Sequence, residues 1–568
     1  MSAKKWIPLV IVACMAAVMI SPPVSGSATM PPQSYTGKLS DPLLAGFGGG
    51  RFDDLAIGVP YYKSENLVAS GAAYVVFGSI YGVTSYNSLF FNEGFGGVNT
   101  ADGNDIFGEA LAIGDFNGDG HFDLAVGIPN KTVNTIHEAG MVQIFYGDDN
   151  GLASTGVQIW SRSTYLIVGI AESGDHFGSA LATGDINGDG CDDLAIGVPD
   201  DDIDGISNAG AIQVIYGSQG GLTAAGNQWG FESYAGIPGG LETNDRFGSS
   251  LAIGDFNADG YEDLAVGTPY EALDATPEAG VVHVINGSPG GLSNVGVDLF
   301  SQDSDGVAGI VHEHDHFGYA LASGDFDGNR IADLAIGAEW DDNTDLTPVG
   351  SVTVLYGSST GLPNGILSEI IYGDDSAGAP YLGTSLAVGD FNSDSYDDLA
   401  AGGPMAIQDC CGSNDIFRAG HVLVQYGSHE GLVPDFHPPP PLGMPQSVPS
   451  PAYFWLNSCS NYRPPKPEDH LGSALAAGDF NDDGRDDLAI GIPDYDLGYW
   501  SICPECDYGA VWVLYSLPDV GVSCEATMFL SQETDWMQGA AGIHDHFGGA
   551  LAATHQERES LFLPIIMH

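Results

Sequence analysis

The sequence predicts an all-β, seven-bladed β-propeller closed by pairing of its N- and C-terminal strands in one blade, and three observations point there. First, a nine-residue phrase, Asp-x-(Asn/Asp)-x-(Asp/Asn)-x-x-x-Asp followed by Leu-Ala, starts at Asp115, Asp185, Asp255, Asp325, Asp390 and Asp479. Its spacings of 70, 70, 70, 65 and 89 residues mark a repeated structural unit. Second, large and small residues alternate with period two on both sides of the phrase, which is strand spacing and excludes a helical solenoid. Third, two separate markers each occur seven times. Phe-Gly or Leu-Gly begins at Phe107, Phe177, Phe247, Phe317, Leu382, Leu471 and Phe547; Asp-Leu-Ala begins at Asp54, Asp123, Asp193, Asp263, Asp333, Asp398 and Asp487.

Within one unit, the first strand follows Asp175-His176-Phe177-Gly178 through Ala180-Leu181-Ala182 into the acidic phrase. Asp193 to Pro199 alternates again as a second strand, and Ala211 to Tyr216, ended by Gly217-Ser218, is a third. A fourth, less regular strand is expected at positions such as Val157 to Trp160. Four short strands per unit describe a propeller blade. The alternation of Leu or Ile with Ala or Gly suits sheets buried on both faces, where small residues let neighbouring sheets approach closely.

The two markers are offset at the ends: the first is an Asp-Leu-Ala strand and the last a Phe-Gly strand, Phe547 to Ala553. The ends should therefore share one blade, leaving no exposed sheet edge. That accounts for six acidic phrases in seven blades, because in the shared blade the first two strands have no covalent link. Leu43-Leu44-Ala45 is a rival first strand, with Gly46, Gly48 and Gly50 where ligands would sit; the C-terminal strand is preferred because it keeps the Phe-Gly.

The domain limits follow. Residues 1–28 read as a signal peptide, with Lys4 and Lys5, the apolar run Trp6 to Ile20 and small residues to Ala28. Residues 29–45 are a lead-in, 46–558 the propeller with a Pro-rich insert at 433–470, and 559–568 a short apolar tail. Ile11-Val12-Ala13-Cys14 also fits lipid attachment at Cys14, but the apolar run continues past it, so a secreted or cell-surface protein cleaved near Gly26 or Ala28 is preferred. No other stretch approaches the roughly 20 apolar residues of a membrane span, so none is expected.

With 75 acidic and 14 basic residues, the net charge of −61 excludes nucleic acid as a main partner. The six phrases hold 23 of the acids, and six Ca²⁺ ions would bring −61 only to −49. The remaining acidity reads as a solvated, aggregation-resistant surface. Of the seven cysteines beyond the signal, Cys191 lies inside an acidic phrase and is the expected free thiol. Cys410, Cys411, Cys459, Cys503, Cys506 and Cys524 fall between repeats and are expected in disulfides of undetermined pairing.

The phrase itself has the chemistry of a Ca²⁺ loop. A hard cation needs six to eight oxygens, alternate positions of a tight turn aim several at one point, and a glycine permits the bend. The expected ligands, with the seventh position offering a backbone carbonyl, are Asp115, Asn117, Asp119, His121 and Asp123; Asp185, Asn187, Asp189, Cys191 and Asp193; Asp255, Asn257, Asp259, Tyr261 and Asp263. They continue with Asp325, Asp327, Asn329, Ile331 and Asp333; Asp390, Asn392, Asp394, Tyr396 and Asp398; Asp479, Asn481, Asp483, Arg485 and Asp487. Five or six Ca²⁺ sites are expected. The fourth is the weakest, with Asn329 for the third acid and Arg330 for the bend glycine; the fifth has Ser395 at the bend.

Phe177-Gly178, Asp185 to Asp193 and Gly197-Val198-Pro199, with counterparts in each unit, resemble the FG-GAP repeat of the integrin alpha-chain N-terminal propeller and of bacterial exported proteins. The resemblance implies a seven-bladed propeller with Ca²⁺ held in hairpins on the face opposite the usual ligand surface, where it rigidifies rather than catalyses. Departures are Glu339 in place of proline and Leu382 and Leu471 in place of phenylalanine.

Other constellations are weaker. Gly357-Ser358-Ser359-Thr360-Gly361 matches a serine-hydrolase elbow but also a turn repeated at Gly217 to Gly221 and Gly427 to Gly431. His312, His314 and His316, with Glu313 and Asp315, could gather a transition metal on one strand face, although His316 belongs to the repeat. Carboxylates are too abundant to single out a catalytic pair. The expectation is a non-enzymatic, monomeric, secreted Ca²⁺-binding module for an extracellular protein or glycan ligand. The alternatives are an extracellular hydrolase of phospholipase or glycan-active type and a structural envelope or matrix component.

Overall fold

The computed structural model describes Phe47 and residues 50–554, apart from 64–66, 98–100, 150, 274, 343–347, 364–367, 374–380, 410–415, 434–451, 455–468, 496–507, 519, 533, 535–536 and 538–544. The signal, most of the lead-in, Pro438 to Pro441 and the apolar tail lie outside these residues.

Seven four-stranded antiparallel sheets form, six of them in sequence order from inner to outer strand. Blade two is Leu111–Gly114, Asp123–Ile128, Met141–Phe145 and Gln158–Trp160; blade three is Leu181–Gly184, Asp193–Val198, Ala211–Tyr216 and Thr223–Gly230. Blades four to seven have inner strands Ser250–Gly254, Phe317–Gly324, Ser385–Gly389 and Leu475–Gly478. Blade six adds a hairpin, Ile407–Asp409 with Ile416–Arg418. Blade one is the shared one: Leu55–Val59, Ala72–Phe77 and Thr84–Phe91 are completed by Ala550–Ala553, with Leu55 opposite Ala553 and Gly58 opposite Ala550. Inner strands contact their neighbours in succession around the whole ring, back to blade two.

Because both faces of each sheet are covered, the second strands are buried along their length. The hydrophobic residues form seven clusters, one in each gap between adjacent blades. Close approach depends on glycine. A Cβ at Gly197 in the second strand would lie 2.2 Å from the Gly248 carbonyl oxygen of the next blade, and the same place in the other six gaps gives 2.1 or 2.2 Å.

The Phe-Gly pair works differently from the strand start expected of it. In six blades it precedes the inner strand, and only Phe317 lies within one. Phe177 instead bridges Gly140 of the preceding blade, donating its N–H to the Ala139 carbonyl at 3.2 Å. Gly140 has φ +81°, and a Cβ there would meet the Phe177 nitrogen at 2.2 Å. The pair is thus an anchor between blades, with its ring buried in the gap.

Closure is reinforced beyond the strand ladder. Asp54 N–H donates to Thr554 Oγ1 at 2.7 Å, Thr554 N–H donates to the Asp54 carbonyl at 3.0 Å, and Asp479 N–H donates to Asp53 Oδ2 at 2.8 Å.

Candidate metal centres

Each acidic phrase joins the first and second strands of its blade, and alternating strand direction puts all six at one end of the propeller. The tight turn is built by backbone N–H groups pointing at the first aspartate. In blade three, Asp185 accepts Asp189 N–H at 2.9 Å and Gly190 N–H at 2.8 Å, and Asp189 accepts Cys191 N–H at 3.1 Å. The pattern recurs at Asp115, Asp255, Asp390 and Asp479. Each carboxylate oxygen used this way keeps a lone pair for a further partner.

The sixth position is left-handed throughout: Gly190 has φ +83°, Arg330 +68° and Ser395 +71°. The bend therefore survives without glycine, at a cost of about 1 kcal/mol for a residue carrying a Cβ. The fourth position is left-handed too, at Gly118, Gly188, Ala258, Gly328, Ser393 and Asp482, a requirement not read from the sequence.

The ninth aspartate has a second duty. Asp123 is fully buried and accepts Gly147 N–H at 2.8 Å and Phe116 N–H at 3.0 Å, stapling the loop to the turn after the third strand. Burial, together with Asp115 and Asp119 nearby, pushes its carboxyl up to about 8; Asp193 and Asp333 also rise to about 8 and Asp263 to about 7. Asp54 makes the same bonds in the blade that has no acidic phrase, to Gly78 N–H and Phe47 N–H at 2.9 Å each. Phe47 thus stands where the second residue of an acidic phrase stands elsewhere, and in the same register the sequence has Gly46, Gly48 and Gly50 at the first, third and fifth places. The segment before Asp54 thus keeps the staple of an acidic phrase without its carboxylates, in the one blade whose first two strands have no covalent link.

Loops also clasp the neighbouring blade. Asp192, just before the ninth aspartate of blade three, accepts Asp115 N–H at 2.7 Å, and its own N–H donates to the Asp115 carbonyl at 3.0 Å. Asp397 does the same to Asp325 and Asp486 to Asp390. Blade two has Phe122 and blade five Ala332 at this place, neither with a carboxylate; Ala332 keeps the backbone half of the clasp, its N–H donating to the Asp255 carbonyl at 3.2 Å.

The donor set fits a hard cation. Asn117 Oδ1, Asp325 Oδ1, Asn392 Oδ1 and Asn481 Oδ1 are buried oxygens with no hydrogen-bond partner, all at first or third loop positions. In the fourth loop Asp325, Asp327 and Asp333 bring one oxygen each within 4.8 Å of one another. The loop ranked weakest by its sequence thus brings three carboxylates together, while Asn329 turns its amide to the Gly357 carbonyl at 3.1 Å. Cys191, at the seventh position, is a buried free thiol. Of the six cysteines expected in disulfides, Cys524 is disulfide-bonded and the rest lie outside the described residues.

The histidines do not share a strand face. Residues 301–316 run as turns, and the strand begins at Phe317. His314 Nδ1 lies 2.8 Å from Glu278 Oε2 and His316 Nε2 3.4 Å from the same oxygen, whereas His312 turns to Asp315. Ser358 Oγ donates to the Gly361 carbonyl at 2.8 Å, the same turn bond as Ser218 to Gly221 and Ser428 to Gly431, so it is a turn residue.

A protein-family model for the FG-GAP repeat matches residues 107–145, 177–215, 247–285, 317–355, 382–416 and 471–514. Integrin alpha-PS2 of Drosophila melanogaster is 34% identical over 256 residues, which are 44% of this chain and 16% of that protein. Integrin alpha-5 of Xenopus laevis is 32% identical over 244 residues, 42% and 20% respectively. Human phosphatidylinositol-glycan-specific phospholipase D is 30% identical over 293 residues, 50% and 32%. The chain thus spans between about a sixth and a third of these relatives' lengths.

Proposed function

This chain is an integrin alpha-like FG-GAP repeat protein, and we propose that it is an exported Ca²⁺-stabilised binding module that presents one propeller face to a protein or glycan outside the cell. The loops would hold five or six Ca²⁺ ions through the side chains at positions one, three, five and nine and the carbonyl at seven. The ion would supply charge neutralisation, drawing together carboxylates that otherwise repel, in loops that already clasp adjacent blades.

The observation that carries the binding role is the placing of exposed apolar side chains. Of fifteen large ones among the described residues, nine lie in connections at the end opposite the acidic loops: Tyr61, Val68, Tyr165, Leu166, Val168, Ile170, Tyr234, Ile310 and Trp340. Four lie at the loop end. Apolar groups gathered on one face of a soluble module favour a partner there. A hydrolase reading draws only on the name that the phospholipase relatives carry, and a matrix component would self-associate.

The test is binding of the purified chain to arrayed extracellular glycans and matrix proteins. Tyr165→Ser with Leu166→Ser should abolish any binding found, and Ile80→Ser with Tyr81→Ser at the loop end should leave it intact. Equal losses from both pairs would refute the choice of face.

A further inference from the structure

At the end opposite the acidic loops, each gap between blades has three corresponding positions: two residues beyond the fourth strand, two before the Phe-Gly, and three beyond the second strand. Between blades one and two these are Glu93, Asp105 and Lys131. Lys131 Nζ lies 2.6 Å from Glu93 Oε1 and 3.0 Å from Asp105 Oδ2, all three buried. Between blades two and three they are Arg162, Asp175 and Asp201, with Arg162 2.6 Å from Asp201 Oδ2. Either trio has two carboxylates and one cation, a formal charge of −1.

Between blades three and four the same positions hold Glu232, Asp245 and Glu271. The first two match Glu93 and Asp105, but a third carboxylate stands where Lys131 stands. Three carboxyl groups, with a formal charge of −3, then share one gap. The residues are 1%, 2% and 8% exposed, and one oxygen from each lies within 4.8 Å of the others. Both Glu232 oxygens and Glu271 Oε2 have no hydrogen-bond partner. Asp245 Oδ2 accepts the Glu242 N–H at 2.6 Å. The nearby base is already engaged: His283 Nε2, 3.3 Å from Glu232 Oε1, lies closer, at 2.9 Å, to the Pro238 carbonyl.

We propose that Glu232, Asp245 and Glu271 form a seventh cation site, taking a hard divalent ion, Ca²⁺, in the place that the Lys131 ammonium fills between blades one and two. Two positive charges bring the gap to the −1 of the two gaps that hold Lys131 and Arg162. Three carboxylates supply up to six oxygens, the number such an ion prefers. A surface pocket walled by Asp245 and Glu242 adjoins the trio and offers entry. The site is on other residues and at the other end from the acidic loops, so it stands or falls apart from them.

The test counts bound Ca²⁺ on the full chain by native mass spectrometry and follows thermal unfolding in Ca²⁺ and in EDTA. Glu271→Lys recreates the Glu-Asp-Lys trio; it should bind one Ca²⁺ fewer than the parent and melt higher than the parent in EDTA. Glu232→Gln with Glu271→Gln, which removes charge and little volume, should also bind one fewer, and keeps the question decidable if the lysine variant does not fold. Equal ion counts in the parent and the variants would overturn the proposal and mean that the trio holds protons instead. Should the acidic loops bind nothing, the parent would carry a single ion that Glu271→Lys removes.

Discussion

Replacing Gly197 by alanine is the sharpest test of how the ring is packed. The new Cβ would lie 2.2 Å from the Gly248 carbonyl oxygen and 3.0 Å from Ala180 Cβ, where 3.4 Å or more is ordinary. The obstacle is backbone, so no side chain can swing aside, and blades three and four must separate by about 1 Å along a gap whose second strand is wholly buried. Overpacking of this kind costs about 1 to 3 kcal/mol, and a rigid backbone contact puts Gly197→Ala at about 3. Gly190→Ala is the control. Its φ of +83° disfavours alanine, but no atom lies within 4 Å of the new methyl, so the loss should be about 1 kcal/mol. Urea unfolding at fixed Ca²⁺, followed by tryptophan fluorescence, ranks the two. A midpoint for Gly197→Ala at or above that of Gly190→Ala would refute the view that the blades meet through these glycines.

Three other outcomes are expected. Asp185→Ala with Asp189→Ala should lower the melting temperature far more in Ca²⁺ than in EGTA, by about 2.7 kcal/mol at a free concentration a hundred times the dissociation constant, since in EGTA only turn hydrogen bonds are lost; equal losses would remove the ligand assignment. Arg330→Gly should stabilise by about 1 kcal/mol, because the left-handed residue no longer carries a Cβ and the N–H bond to Asp325 is kept; thermal melts read the gain, and a loss would contradict it. Burial raises Asp54 to about 7 in a blade with no acidic loop, so its protonated form favours the folded chain and its contribution declines as pH rises from about 4 through 7. Asp54→Asn should therefore be less stable than the parent at pH 5, where one acceptor is lost, and gain relative to it by pH 8; parallel pH profiles would count against this.

The blade ladder was legible because every sheet is buried on both faces, which forces alternation on all strands and small residues where blades meet. The shared blade was legible for the same reason: Asp54-Leu55-Ala56 and Phe547-Gly548 are two halves of one pattern. Less was visible in single positions. The ninth aspartate looks like a ligand and is also a backbone staple, and the clue was available, since seven Asp-Leu-Ala phrases against six loops leave Asp54 with no metal to explain it. The alternation of its neighbours makes Phe-Gly look like a strand start, whereas its work lies in the bridge to Gly140. The spacing of His312, His314 and His316 imitates a strand where the chain turns, so period two misled there. The gap trios are not legible in the sequence, because their members are about 10 to 40 residues apart and correspond only when one blade is superposed on the next.

The most direct measurement is the melting temperature of the purified chain across a Ca²⁺ titration, with bound ions counted by native mass spectrometry in the same samples. A Ca²⁺-locked ring should bind at least five ions and melt progressively higher as they load. No bound Ca²⁺, or loading that leaves the melting temperature where it was, would contradict it.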